Sequence, residues 1–152
     1  MCKPCRPSAL KGFTLIEILV VVALIAILTA ITFIAINPAK NFADTRNAQR
    51  SSDVVQTLNA VTQYTSEQGH ALADLGTIST CPTTTCIGTS VSGPACVNLS
   101  TKLVDTYIVG MPSDPLIGTA ANTGYTICQT VSHRVTVAAT SPENGKVISV
   151  SR

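Results

Sequence analysis

A single uninterrupted apolar segment near the N-terminus constrains this chain more than any other feature. After Glu17, no charged residue occurs from Ile18 to Ile36, a length that lets one helix cross about 30 Å of hydrocarbon. A charged side chain within such a segment costs roughly 2.5–3.5 kcal/mol on insertion scales. We therefore expect a membrane-spanning helix over residues 13–36, and a working state in which Glu17 has a partner.

The basic residues Lys3, Arg6 and Lys11 precede this segment, and none follows it immediately. That asymmetry predicts an N-terminus in the cytoplasm and a C-terminal part outside it. A secretory signal peptide is a competing interpretation, but the apolar run is longer than a usual signal core. In addition, no small-x-small cleavage site follows before Asn37. A signal anchor that carries a monomeric binding domain remains an alternative.

The heptapeptide that ends at Glu17, Lys-Gly-Phe-Thr-Leu-Ile-Glu, resembles the processing site of type IV pilins and type II secretion pseudopilins. The resemblance implies that a prepilin peptidase cuts between Gly12 and Phe13 and that the new amino group of Phe13 is methylated. It also implies that Glu17 guides assembly by pairing with the amino group of Phe13 in a neighbouring subunit. The corresponding architecture is the type IV pilin fold.

Beyond the apolar segment the pattern changes to that of an amphipathic helix over residues 37–70. Pro38 lacks an N–H and clashes with the carbonyl group of Ile34, so the helix must kink, end or loosen there. Apolar residues then recur at i, i+3, i+4 and i+7, with polar residues between them. Gly69 is a candidate C-cap.

Residues 71–152 are expected to form a disulfide-stabilised globular head. Runs rich in β-branched residues alternate there with turn signals, of which Asn144-Gly145 is the strongest. We therefore predict an α+β fold in which the long N-terminal helix packs on a small antiparallel sheet of three or four strands. The predicted strands cover residues 106–111, 125–131, 134–140 and 146–150, and the predicted leader covers residues 1–12.

The cysteines of the head form an even set, namely Cys81, Cys86, Cys96 and Cys128. An even set in an exported domain favours two disulfides, for which three connectivities exist. The short Cys81–Cys86 spacing favours a locally stapled loop, which would leave Cys96 and Cys128 to tie the long loop to a central strand. We adopt this pairing as an expectation and leave the other two open. A zinc site is not indicated, because the head has no tight cysteine pair with a histidine beside it.

The segment Met111-Pro-Ser-Asp-Pro115 resembles one that holds calcium in major pseudopilins, which makes Asp114 a candidate calcium ligand. Calcium takes six to eight oxygen ligands, and Asp114 is the only carboxylate in the segment. We therefore favour an ordinary turn and predict neither a metal nor a cofactor. His70 and His133 are isolated and no nucleophile elbow occurs, so we do not expect an enzyme.

The charge balance argues against a nucleic-acid-binding protein. The formal net charge is +2, and without the three basic residues of the leader seven basic and eight acidic side chains remain. No basic stripe is left to follow a phosphate backbone. No specific nucleic-acid partner is therefore expected.

The function that the resemblance implies is that of a structural subunit, the major pilin, of a type IV pilus used for attachment, twitching motility or DNA uptake. Its partners would be identical subunits, membrane lipid before assembly, the prepilin peptidase and the pilus assembly platform. The precursor would lie in the inner membrane and the polymer outside the cell. The main alternative is the major pseudopilin of a type II secretion system.

Overall fold

The computed structural model describes residues 12–90 and 96–152, so leader positions 1–11 lie outside the described residues. The chain divides into two compact units, one that ends at Ala39 and one that comprises Lys40–Arg152. In chain order the elements are α1 (Leu15–Ile36), α2 (Pro38–Ser66), a 3-10 helix (Leu72–Leu75), β1 (Thr85–Cys86), α3 (Ser100–Leu103), β2 (Tyr125–Gln129), β3 (Val135–Ala139) and β4 (Ser149–Ser151).

Helix α1 is apolar on all sides, and none of its residues is buried. Among the described residues, α1 is the helix that is long and apolar enough to cross a membrane. It ends at Ile36, because Asn37 adopts the left-handed conformation with φ 43°. Asparagine tolerates this conformation better than most residues. Pro38 then begins α2, where its fixed φ suits a first helical position and its missing N–H is not needed.

The four strands form one antiparallel sheet in the order β1-β2-β3-β4. Strands β2 and β3 pair over five residues, from Tyr125 opposite Ala139 to Gln129 opposite Val135. The connection from β3 to β4 includes Asn144 and Gly145, both with positive φ, as hairpin turns of the primed type require. The predicted α+β architecture, a long N-terminal helix with a small antiparallel sheet, is confirmed.

The core of the second unit lies between α2 and the sheet. Alternation along β2 points Tyr125 and Ile127 inward, and Val137 of β3 joins them, each at most 1% exposed. Burial of an aliphatic or aromatic side chain of this size stabilises the fold by roughly 1.5–3 kcal/mol. The apolar stripe of α2 supplies the opposite side of this core, through Val54, Leu58, Val61 and Tyr64.

The prediction of a strand at residues 106–111 was wrong. The backbone N–H groups of Tyr107 and Ile108 both donate to the carbonyl of Leu103, at 3.0 and 3.1 Å. Asp105 has φ 72°, so the segment is a tight turn after α3. In its place, the sheet contains β1, which was not predicted. The two residues of β1 lie in a Thr-rich stretch that has no strand pattern. Helix α2 also ends at Ser66, earlier than predicted.

The structure also corrects the disulfide pairing: Cys81 bonds to Cys128 and Cys86 bonds to Cys96. The pairing of the strands explains why the cysteines bond in this way rather than as predicted. Ahead of β1, the N–H of Cys81 donates to the carbonyl of Gln129 at 2.9 Å, so Cys81 lies beside the end of β2. Behind β1, the N–H of Val97 donates to the carbonyl of Cys86 at 2.8 Å, which brings Cys96 to Cys86. Both disulfides therefore secure backbone segments that already run side by side.

Candidate functional site

Gly12 and Phe13 lie in an open stretch ahead of α1. Phe13 is 78% exposed, and a Cβ atom placed on Gly12 would meet nothing within 4 Å. Neither residue belongs to a helix or strand. The peptide bond between them is therefore accessible within the described part of the chain, as a substrate of a membrane peptidase must be.

Thr14 and Glu17 form a capping box at the start of α1. The N–H of Glu17 donates to the Thr14 hydroxyl at 3.3 Å, and the N–H of Thr14 donates to the Glu17 carboxylate at 3.5 Å. The second distance lies beyond the usual range of 2.7–3.2 Å for such a bond. The carboxylate of Glu17 is thus held loosely by its own helix and can accept a stronger donor.

The rest of the α1 surface presents little polar character. The hydroxyl of Thr29 donates to the carbonyl of Ile25 at 2.7 Å, and that of Thr32 to the carbonyl of Leu28 at 3.0 Å. Both hydroxyl protons are thereby satisfied within the helix. The remaining surface consists of aliphatic side chains, alanines and Phe33, so α1 offers a partner dispersion contacts rather than hydrogen bonds.

In the second unit, Arg50 of α2 is fully buried and binds two carboxylates. Its Nε and Nη2 donate to the two oxygens of Asp114 at 2.6 and 3.1 Å, and its Nη1 donates to Glu143 at 2.8 Å. Arg46, one turn earlier, donates Nε to Glu143 at 2.7 Å. We call these four residues the ionic clamp, because they join α2 to two loops of the head.

Asn47 strengthens the clamp through the backbone of the loop after β3. Its side-chain amide donates to the carbonyl of Glu143 at 2.9 Å, and its side-chain oxygen accepts from the N–H of Glu143 at 3.0 Å. A second buried polar contact lies further along α2, where the Tyr125 hydroxyl donates to Asp53 at 2.6 Å. These polar side chains therefore face the head rather than solvent.

The pKa values of both carboxyl groups of the clamp lie below their ordinary values. Hydrogen bonds from Arg46 and then from Arg50 lower the pKa of Glu143 from 4.5 to about 2. Burial raises the pKa of Asp114, but hydrogen bonds from Arg50 and from the N–H groups of Leu116 and Ile117 outweigh it and leave that pKa below its ordinary value. Both carboxylates therefore remain ionised in the folded protein well into the acid range.

Residues 8–33 match the family model of the prokaryotic N-terminal methylation motif. This motif is the hallmark of type IV pilins and pseudopilins. Searches of curated proteins and of solved structures found no significant match. The matched range contains the exposed Gly12–Phe13 bond, the capping box with Glu17, and most of α1.

The methylation motif indicates a structural protein. Together with the apolar helix it indicates a membrane-anchored precursor. Among residues 12–90 and 96–152, no group of three or more histidine, cysteine, aspartate or glutamate side chains is placed to hold a metal ion. At Asp114, the candidate calcium ligand, Arg50 and two backbone N–H groups already engage the carboxylate. A calcium ion would have to displace them.

Two features of the site were not predicted from the sequence. The capping box has a local signature, Thr14-x-x-Glu17 ahead of an apolar run, and could have been found. The ionic clamp has none, because Arg50 and its carboxylate partners lie 64 and 93 positions apart in the chain. Asn47, Arg50 and Asp53 belong to the polar residues between the apolar positions of α2, yet each is at most 9% exposed.

Proposed function

We propose that this protein is the major structural subunit of a type IV pilus. It is made as a precursor whose apolar helix lies in the inner membrane, with the leader in the cytoplasm. A prepilin peptidase cuts between Gly12 and Phe13, and the new amino group of Phe13 is methylated. The match of residues 8–33 to the methylation motif carries this proposal, and the exposure of Gly12 and Phe13 supports it.

Assembly follows from the surface of α1, which is apolar on all sides and unburied within its own chain. In the precursor this surface contacts lipid. A platform of the assembly machinery then moves the helix into a polymer of identical subunits, where close protein packing replaces lipid contacts. Helix association of this kind is driven by van der Waals packing rather than by water exclusion. The head, with its own core and two disulfides, remains on the outside of the filament.

Glu17 specifies register in this proposal. Its partner is the amino group of Phe13 in the neighbouring subunit, which is a stronger donor than the Thr14 N–H at 3.5 Å. Two opposite charges in a medium of low dielectric attract strongly, and an unpaired charge there is costly. A subunit that enters out of register leaves both charges unpaired, so only the correct axial position is stable.

Filament yield of Glu17→Val tests this role. We expect normal membrane insertion and normal cleavage, but a loss of polymer of about tenfold or more, since leaving a buried charge without its partner costs about 3–5 kcal/mol. Yield is measured by shearing filaments from cells, with membrane-bound mature subunit as the reference. The matched control is Thr14→Ala, which removes the capping hydroxyl and keeps the carboxylate.

The control separates pairing from capping. Loss of an N-cap costs about 1 kcal/mol, and we expect Thr14→Ala to assemble at nearly the normal yield. If Thr14→Ala and Glu17→Val reduced the yield equally, the capping box would explain Glu17 and the pairing proposal would fail.

Processing and filament length test the wider assignment. N-terminal sequencing of the mature protein should give Phe13 as its first residue, and Gly12→Val should prevent cleavage. A mature chain that kept the leader would instead favour a signal-anchored monomer.

Electron microscopy of sheared material should show long filaments that contain this chain. Short envelope-bound polymers required for protein export would identify a pseudopilin of a type II secretion system.

A further inference from the structure

An open groove runs along the C-terminal half of α2. It consists of two adjoining cavities of about 500 Å³ each, which share Asn59, Gln63 and Tyr107. One wall is α2, the other is the turn at residues 106–110, and Arg152 lies at one end. All of these residues belong to the second unit.

The α2 wall carries three carboxamide side chains on one face, Gln56, Asn59 and Gln63. Their i, i+3 and i+7 spacing places them in line along the helix. The side chain of Asn59 accepts a hydrogen bond from Arg152 at 3.0 Å. The side chains of Gln56 and Gln63 make no hydrogen bond with any other residue that the structure describes. Each carboxamide offers two donors and one acceptor oxygen in a plane.

The opposite wall presents a fixed aromatic ring. The backbone of Tyr107 is held by the carbonyl of Leu103 at 3.0 Å, and its ring meets that of Tyr64 edge-on with centroids 5.7 Å apart. A hydrogen bond to Glu67 raises the pKa of the Tyr107 hydroxyl to about 12. The ring and its hydroxyl are therefore positioned before any ligand arrives.

We propose that this groove binds a neutral oligosaccharide. Planar amide groups in a row match the paired hydroxyls of a sugar, each of which both donates and accepts, and a fixed aromatic ring suits the apolar face of a sugar ring. The groove has the volume of a ligand site, about 300–1,000 Å³. Its lining places Glu67 together with Arg152, so it has no excess of either charge for a phosphate or a polyanion.

An extended peptide fits the groove less well. Peptide recognition depends on buried apolar anchors in well-packed pockets, but the aliphatic side chains that line the groove, Ala60, Ile108 and Val109, are confined to one of the two cavities. Val109 is 97% exposed, so its side chain projects into solvent instead of forming a pocket. A sugar chain needs no such anchor.

Isothermal titration calorimetry of the detergent-solubilised full chain tests the proposal. The probes are maltohexaose, cellohexaose and chitohexaose, and the detergent must have no sugar headgroup. We expect at least one hexaose to bind with a dissociation constant of about 1 mM or tighter. Gln63→Ala should weaken that binding about tenfold, because the variant loses the hydrogen bonds of one carboxamide to the sugar. The matched control Gln49→Ala, also an exposed glutamine of α2 but outside the groove, should bind as the wild type does.

Two results would overturn the assignment. One is the absence of binding by all three hexaoses to the folded chain, with folding verified by circular dichroism. The other is equal weakening by Gln49→Ala and Gln63→Ala, which would show that the sugar contacts α2 nonspecifically. Because the measurement uses solubilised subunits, it is independent of whether the chain assembles into a pilus.

Discussion

At the scale of single residues, the most consequential side chain of the second unit is Arg50. It is fully buried, and so is Asp114, whose two oxygens it binds. Removal of one partner from a buried ion pair is strongly destabilising, because the other charge remains in a site without water. The fold therefore depends on this pair being complete, even though the net worth of an intact buried pair is small.

The Asp114→Ala variant tests this dependence. We expect the free energy of unfolding of the head to fall by about 3 kcal/mol or more, since Arg50 keeps only Glu143 as a charged partner. Urea unfolding of the solubilised chain can be followed by tyrosine fluorescence, because the chain has no tryptophan and all three tyrosines lie in the second unit.

The matched control is Lys146→Ala, which breaks the exposed ion pair between Lys146 and Asp44 at 2.8 Å. Exposed pairs contribute about 0–1 kcal/mol, so its effect should be several times smaller. If the two variants lost equal amounts of unfolding free energy, burial of the clamp would have no effect on stability.

Acid titration tests the second carboxylate of the clamp, Glu143. Its pKa is about 2 in the folded protein against an ordinary 4.5. A carboxyl group whose pKa is lowered by folding stabilises the fold above its ordinary pKa, and that contribution is lost as the pH falls toward the folded value. The free energy of unfolding should therefore decrease from pH 4.5 toward pH 2, as urea unfolding at each pH would show.

In Glu143→Gln this part of the pH dependence should be smaller, because no carboxyl group is left to titrate at that position. Asp105→Asn is the control, since Asp105 forms no ion pair with the residues that the structure describes and its φ of 72° also suits asparagine. A pH profile of Glu143→Gln identical to that of the wild type would contradict this origin of acid sensitivity.

Among single residues, the sequence predicted those whose role depends on near neighbours in the chain. Gly12, Phe13 and Glu17 lie within six residues of one another, and their order is informative without any tertiary structure. Arg50 can be buried only because Asp114 and Glu143 bind it. These two residues are 64 and 93 positions away in the chain and come close to Arg50 only in the folded protein. Local patterning gives no information on such a contact.

At the scale of elements, the two disulfides constrain the unfolded chain to different extents. Cys81 and Cys128 are 47 positions apart, and Cys86 and Cys96 are 10 positions apart. In the chain-entropy model the longer loop contributes about 4 kcal/mol and the shorter about 2.7 kcal/mol. The bond between Cys81 and Cys128 also joins the segment before β1 to the end of β2, whose pairing is central to the sheet.

Paired serine substitutions compare the two bonds. The variant Cys81→Ser/Cys128→Ser should lose about 1 kcal/mol more of its unfolding free energy than Cys86→Ser/Cys96→Ser. Each variant removes one complete disulfide and leaves no free thiol within residues 13–152, so the two are matched chemically. Thermal unfolding by circular dichroism gives the difference, and a reversed order would show that native-state contacts around β1 outweigh loop entropy.

The elements that the sequence predicted well are those with a strong local period. The apolar segment of α1, the stripe of α2 and the alternation of β2 and β3 follow from residues within one or two turns of each other. Strand β1 has only two residues and forms because β2 offers it an edge. Residues 106–111 have the composition of a strand, but Asp105 and the hydrogen bonds to Leu103 close them into a turn.

At the scale of the whole molecule, the two units differ in how they satisfy their apolar residues. The head buries its apolar side chains internally, whereas α1 leaves all of its surface without a protein partner in the described chain. In the proposed pilus, α1 therefore provides cohesion between subunits and the head provides the outer surface. The length, composition and hydrophobic period of each segment predicted that the two units would differ in this way. These properties belong to each segment by itself and do not depend on contacts between segments.

Cohesion through α1 predicts how filaments respond to solvent. Sheared filaments should remain intact in about 1 M NaCl, where the Debye length is only about 3 Å and exposed charges are screened. Dispersion contacts between apolar helices are unaffected by salt, and a Glu17 pair in low dielectric is screened little. A mild detergent, by contrast, offers α1 an alternative apolar environment and should release subunits. Sedimentation followed by electron microscopy distinguishes the two responses. Disassembly by salt alone would mean that charges on the heads, rather than the apolar helices, hold the polymer together.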